Sequence, residues 1–197
     1  MVSLEQAKKL VDLARDSIKA GFSSRELKVS SVIMQAFSKT KGVFVTLNLN
    51  GQLRGCIGFP EPTQKIYRGV IDAAQSAAFH DPRFPPLTKE EFANVVIEVS
   101  ILSPPKLVEV RNPEEYYQKI RVGKDGLVVR GTFSSGLLLP QVAVEYKWDA
   151  KTFLEQTCVK AGLQQNEYFD YEKCRVYSFQ SEVFSEQSPD GQIVQIM

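Results

Sequence analysis

Arg54, Cys56, His80, Asp81, Arg83 and Glu98 are the side chains whose types and spacing could do chemistry in this chain. Arg54 and Cys56 stand in the run Leu53-Arg54-Gly55-Cys56-Ile57-Gly58, directly after an Asn50-Gly51 pair. Two residues apart on a strand, they share a face with Cα atoms about 7 Å apart. A guanidinium at that range favours the thiolate, lowers the cysteine pKa and could also hold an anionic substrate. In this reading Cys56 is the nucleophile or covalent acceptor, Arg54 clamps the anion, and Gly55 and Gly58 leave room for a ligand to come close. The structural alternative for the same residues is a small buried hydrophobe beside a strand bulge.

His80 and Asp81 follow the end of a helical pattern. One reading is a C-terminal cap, where a histidine cation meets the helix dipole and Asp81-Pro82 starts a turn. The other makes His80 the general base for Cys56, with Asp81 orienting it. Arg83 reads as a cation lining a cleft. Glu98 and Ser100 alternate on a run that is otherwise apolar, and a carboxylate there must be paired or exposed. Arg54 is its candidate partner, so Arg54 is either an anion clamp or one half of a structural pair. Cys158 falls on the apolar face of its helix, and Cys174 could be core or surface. The spaced glycines Gly123, Gly126, Gly131 and Gly136 lack the Lys-Ser/Thr context of a phosphate loop and read as turns.

The elements that must position these residues are legible from period and caps. Asn-Gly between alternating runs marks a hairpin over 43–49 and 52–58. A two-residue type I′ loop sets Leu47 opposite Arg54, Val45 opposite Cys56 and Val43 opposite Gly58. Ser3 and Gln6 form a capping box for a first helix with Leu4, Ala7, Val11, Ala14 and Ile18 at helical spacing, stopped at Gly21. Residues 23–41 read as loop with a short strand. A second helix runs from Pro62-Thr63 to about Phe79, the proline-rich stretch 81–87 cannot be helical, and Thr88 with Glu91 caps a short turn. Val95 to Leu102 is the clearest strand. Asn112-Pro113 opens a helix, Gly126 to Gly131 is a strand, and Leu137 to Val144 is an edge strand or a helix start. Asp149 caps a helix to Gly162, Cys174 to Phe184 alternates as a late strand, and the last dozen residues read as a loose tail. Hairpins and isolated strands mixed with helices point to an α+β fold with a largely antiparallel sheet flanked by helices.

Composition bounds the function classes. A chain of 197 residues is expected to make a single domain, with room for a second lobe. The net charge of +1 gives no global pull towards nucleic acid. Three cysteines far apart and a single histidine fit neither a disulfide scaffold nor a zinc site of the usual spacing. No metal or cofactor is expected. The N-terminal residues lack a signal-peptide core and no run reaches membrane-spanning length, so a cytoplasmic protein is expected.

The hexapeptide Leu53–Gly58 resembles the signature of the AMMECR domain family. The resemblance extends through Asp81-Pro82-Arg83-Phe84, Glu98-Val99-Ser100-Ile101-Leu102, Leu138-Leu139-Pro140-Gln141-Val142-Ala143 and Cys158-Val159-Lys160-Ala161-Gly162-Leu163, in the family's order. It implies one α+β domain over 1–197 with a larger and a smaller lobe and a cleft near the hexapeptide. It also implies Memo-type or radical-SAM proteins as partners, although the chain has no Cys-x₃-Cys-x₂-Cys cluster motif of its own. No reaction follows from it. Two functions stand side by side: a site for a small anionic ligand built on Cys56 and Arg54, with His80, Asp81 and Glu98 handling protons, or a non-enzymatic module that recognises a partner protein or ligand.

Overall fold

The computed structural model describes residues 2–23 and 27–197, which divide into two compact units, Met1–Leu102 with Glu182–Met197 and Ser103–Ser181. The first unit opens with helix α1 (Leu4–Gly21), whose Ser3 side chain accepts from the Gln6 N–H while Gln6 reaches back to the Ser3 N–H. Its buried stripe includes Leu10, Val11, Ala14 and Ile18. A six-residue helix α2 (Ser31–Ala36) lies within the stretch expected to be loop and strand. It buries no side chain, so no apolar period marks it, and the Ser30 hydroxyl caps it.

Strands β1 (Gly42–Leu49) and β2 (Gln52–Phe59) form the expected hairpin. Helix α3 (Ile66–Phe79) begins later than Pro62-Thr63 suggests, because Lys65 is held extended by an isolated bridge to Thr40. A short helix α4 (Lys89–Phe92) carries the Thr88–Glu91 capping box, and strand β3 (Val95–Leu102) has the expected bounds. β1 lies between β2 and β3, antiparallel to both. Val43, Val45 and Leu47 of β1 and Ile97, Val99 and Ile101 of β3 join the core formed with α1 and α3.

The second unit contains β4 (Lys106–Leu107), α5 (Glu115–Lys119), β5 (Asp125–Arg130), β6 (Ser135–Leu138), α6 (Pro140–Glu145) and α7 (Ala150–Lys160), then a 3₁₀ turn at Glu167–Phe169. Pro140 opens α6 and the Asp149 carboxylate caps α7. Asn112 accepts from the Glu115 N–H, but the helix itself starts only at Glu115. Tyr116, Leu127, Val129, Phe153, Leu154 and Tyr168 form its core.

Strand β7 (Arg175–Glu186) pairs antiparallel with β4 and β5 through its first half, and β5 pairs with β6. Its last residues belong to the first unit, where β8 (Ile193–Gln195) pairs with them. The C-terminus is therefore not the loose tail expected. The Val183 N–H donates to the Met197 carbonyl, and Glu186 accepts from Arg15 Nε and the Ile97 N–H at 2.9 and 2.8 Å. Every described strand pair is antiparallel and helices flank the strands, an α+β architecture. Among the described residues no helix is long and apolar enough to cross a membrane.

Candidate functional site

The hairpin contains one residue more than a simple two-residue loop accounts for. Leu49 pairs with Gln52 and Asn48 with Leu53 as expected, but a bulge then pairs Leu47 with Gly55 and Thr46 with Cys56. Arg54 is the extra residue. A shift of one residue moves side chains to the opposite face, so Cys56 leaves the row of Val45 and Leu47 and stands beside Thr46. Gly55 takes the helix side instead, where a Cβ would overlap the Ala77 carbonyl of α3.

β2 is the outer strand of the β2-β1-β3 order, and its free edge at Cys56 is closed by side chains. The Cys56 N–H donates to Asp81 Oδ2 at 2.9 Å, and Arg83 Nη2 donates to the Cys56 carbonyl at 3.0 Å. With both backbone groups turned outward, Cys56 and Thr46 form a non-hydrogen-bonded pair, the geometry that brings side chains closest. Thr46 Oγ1 accordingly donates to Cys56 Sγ at 3.2 Å. The β1–β3 register places Glu98 opposite Thr46, so Cys56, Thr46 and Glu98 form a row across three strands, on the face turned away from α1 and α3.

Arg54 is only 8% exposed, and its Nε and Nη2 are engaged in another direction. Its Nε and Nη2 donate to the two oxygens of Glu91, each at 2.9 Å, and Nη2 also donates to the Pro85 carbonyl at 3.0 Å. Glu91 in turn accepts from the Thr88 N–H, so one carboxylate caps α4 and holds Arg54. The expected partner Glu98 plays no part in this bond. Asp81 takes Arg83 Nη2 at 2.7 Å and the Arg83 N–H at 3.1 Å, and the Phe84 ring lies under both the Arg54 and the Arg83 guanidinium. The hydrogen bonds from Arg83 and from the Cys56 N–H hold the Asp81 carboxyl well below the usual carboxylate range.

Burial pushes the Cys56 thiol up, and the charges of Glu98 and Asp81 act in the same direction. The Thr46 hydrogen bond and the Arg83 charge oppose that rise, so the cation acting on this thiol is Arg83. Burial also raises the Glu98 carboxyl, which has neither a hydrogen bond nor an ion pair among the described residues. His80 is exposed at the end of α3, its N–H bonded to the Ser76 carbonyl, and its side chain makes no hydrogen bond to Cys56 or Asp81. Gly58 faces Phe44, whose ring occupies the space a Cβ would need.

The structure thus groups Cys56, Asp81, Arg83 and Glu98 around β2, turns Arg54 towards the 85–91 loop and leaves His80 at a helix end. Thr46, the Pro85 carbonyl and Glu91, whose sequence context marks it only as a helix cap, complete the arrangement. The one sign of Thr46 in the sequence is a hydroxyl within the apolar run Val43–Leu47. Cavities of about 340 and 250 Å³ lie elsewhere, the first lined by Ser17, Leu27, Tyr67 and Gln75, the second by Tyr116, Tyr171 and Arg175. Among the described residues no group of three His, Cys, Asp or Glu side chains is placed to hold a metal ion.

An α+β protein whose glycine-containing edge strand is clamped by an Asp-Pro-Arg-Phe loop is the class these features define. The AMMECR1 family model matches residues 11–184, and the chain belongs to that family. It is 46% identical over 186 residues to a protein of Methanothermobacter thermautotrophicus, covering 94% of this chain and 96% of the relative. Protein MJ0810 of Methanocaldococcus jannaschii is 41% identical over 197 residues, with 99% and 97% covered. Among solved structures, the crystal structure of the uncharacterized protein PH0010 from Pyrococcus horikoshii is 45% identical, with 94% of each chain covered and a TM-score of 0.86.

Proposed function

We propose that this chain is a non-enzymatic recognition module, and that the row Cys56, Thr46 and Glu98 is where it meets its ligand. The observation behind this reading is Glu98, a half-buried carboxylate on the sheet face without a hydrogen bond or ion pair among the described residues, raised by its burial. A buried charge left without a partner costs stability, and a partner supplied from outside removes that cost. The ligand is then one that donates hydrogen bonds or carries a positive charge, such as an amine or a guanidinium group. Two features weigh against thiol chemistry on an anionic substrate. Arg54 commits its Nε and Nη2 to Glu91 and Pro85, and Cys56 is held above the ordinary thiol range, hence protonated at neutral pH.

Thermal-shift screening of small amines, guanidines, carboxylates and phosphates against the full chain tests this, because a ligand that binds only the native state raises its Tm. Amines or guanidines are expected to raise the Tm of the natural chain, with at least a tenfold loss of affinity in Glu98→Gln. Binding of carboxylates that depends on Arg54, or alkylation of Cys56 at pH 7 faster than that of a free cysteine, overturns the reading in favour of the thiol site.

A further inference from the structure

We propose that a cavity in the second unit, bordered by the 107–110 segment, α5 and the first residue of β7, binds a small organic carboxylate that carries one aromatic ring. The cavity measures about 250 Å³, below the roughly 300–1,000 Å³ of sites for drug-sized ligands, so its occupant is small. Leu107, Val108 and Val110 give it apolar walls, and the Val108 N–H donates to the Val176 carbonyl at 2.9 Å, which fixes that side against β7. Tyr116 and Tyr171 supply two rings inclined at 53° with centroids 6.5 Å apart. A third ring fits beside them in the edge or offset contact that aromatic groups prefer. Arg175, exposed at the cavity, supplies the positive charge.

The polar groups at this cavity are unmatched, and their neighbours are not. The Tyr117 and Tyr168 hydroxyls bond to each other at 2.7 Å, whereas those of Tyr116 and Tyr171 have no hydrogen-bond partner among the described residues. Tyr116 is only 3% exposed, so a phenol set deep in the unit borders the cavity with its polar end unsatisfied. The Arg175 guanidinium likewise has neither a hydrogen bond nor an ion pair among the described residues. An arginine has donors and no acceptor. Burial pushes the Tyr116 hydroxyl up to about 12 against the opposing Arg175 charge, so at neutral pH it keeps its proton and can donate as well. Two donors without acceptors call for an anion, and a carboxylate offers a flat pair of oxygens that a guanidinium grips with two parallel bonds. The β5–β7 register sets Arg130 opposite Arg175, which adds positive charge at this end of the sheet. Glu109 also borders the cavity, but it forms no ion pair with Arg175 among the described residues, and its carbonyl accepts from Lys119 Nζ.

The test titrates 3-phenylpropionate into the full natural chain at neutral pH by calorimetry and maps the bound residues by NMR. Binding is expected, with backbone shifts concentrated at residues 107–110 and 171–175. Arg175→Gln should weaken it at least tenfold, and because Arg175 is exposed this variant keeps the fold. Tyr116→Phe keeps the ring and removes one hydrogen bond, for an expected loss of about fivefold. Should that variant fail to fold, Arg175→Gln with the shift map decides the matter. Glu98→Gln should bind the probe as the natural chain does, which separates this cavity from the row on the sheet face of the first unit. Inorganic phosphate, an anion without an apolar body, should bind at least tenfold more weakly than 3-phenylpropionate. No binding at millimolar concentration, unchanged affinity in Arg175→Gln, or shifts confined to the first unit overturns the proposal. So does a preference for phenethylamine, which carries the same ring on a cation and would make Glu109 the anchor, or phosphate bound as tightly as the aromatic acid.

Discussion

Strand β2 has two sides, and they differ in how fully their polar groups are matched. Along the outer edge every side chain that looked chemically active has a partner: Arg54 with Glu91 and Pro85, Asp81 with Arg83, and both backbone groups of Cys56 with Asp81 and Arg83. On the sheet face the Thr46 hydroxyl donates to a sulfur, a weak acceptor, and Glu98 has neither a hydrogen bond nor an ion pair among the described residues. An open strand edge is a template for unwanted pairing, which a folded protein has to close. Here charged side chains stand in for a missing neighbour strand. A residue type that signals reactivity can therefore be spent on architecture, while the proposed ligand site rests on the unmatched Glu98, two strands across the sheet.

Removing Arg54 attacks the edge where it is tightest. Arg54→Ala deletes a bidentate ion pair that is largely buried and leaves the Pro85 carbonyl short of a donor, with an expected loss of about 3–5 kcal/mol in chemical denaturation. A loss below about 1 kcal/mol would return Arg54 to the role of a ligand clamp. Gly55→Ala comes next, at about 1–3 kcal/mol, because the new methyl group meets the rigid Ala77 carbonyl rather than a movable side chain. Both variants should lower the denaturation midpoint while leaving the second unit's core residues unaltered in an NMR spectrum.

These contrasts also explain what could and could not be read before the structure. The capping boxes of α1 and α4, the Asp149 cap and the apolar run Val95–Leu102 are local signals, and each produced the expected element. Helix α2 gave no signal, because a six-residue helix that fully buries no side chain needs no apolar stripe. The bulge at Arg54 decided which face Cys56 occupies, yet its sole trace is a glycine inside a strand, which also fits close packing. The Arg54–Glu91 bond joins residues far apart in sequence. Glu91 could be recognised as a capping residue, but nothing local shows that its carboxylate serves a second partner.

Asp81→Asn tests the same edge more gently, with an expected loss of about 1–2 kcal/mol at neutral pH, since Arg83 is half exposed and regains water. Its pH dependence identifies the cause. The Asp81 carboxyl is depressed in the folded chain, so its stabilisation is complete above the ordinary value of 3.8 and is lost as the pH falls from there through the folded value. The stability gap between the natural chain and Asp81→Asn should hold steady from pH 8 to 5 and close in stronger acid. A gap that persists unchanged at pH 2 would mean that the asparagine disturbs packing rather than charge.

Glu98→Gln carries the smallest effect on stability and the opposite sign. Burial raises the Glu98 carboxyl, so the folded chain holds its proton more tightly than the unfolded chain does. The natural chain then loses stability as the pH rises from the ordinary value of 4.5 through the folded value, and stays lower above it. Glutamine removes that loss. The variant should match the natural chain below pH 4 and exceed it by up to about 1 kcal/mol at pH 8. If Glu98 were a structural residue like Arg54, its replacement would instead destabilise the fold at neutral pH. A variant that is more stable but no longer binds amines separates the two sides of β2: the edge is kept for the fold, and the face is kept for a ligand at the fold's expense.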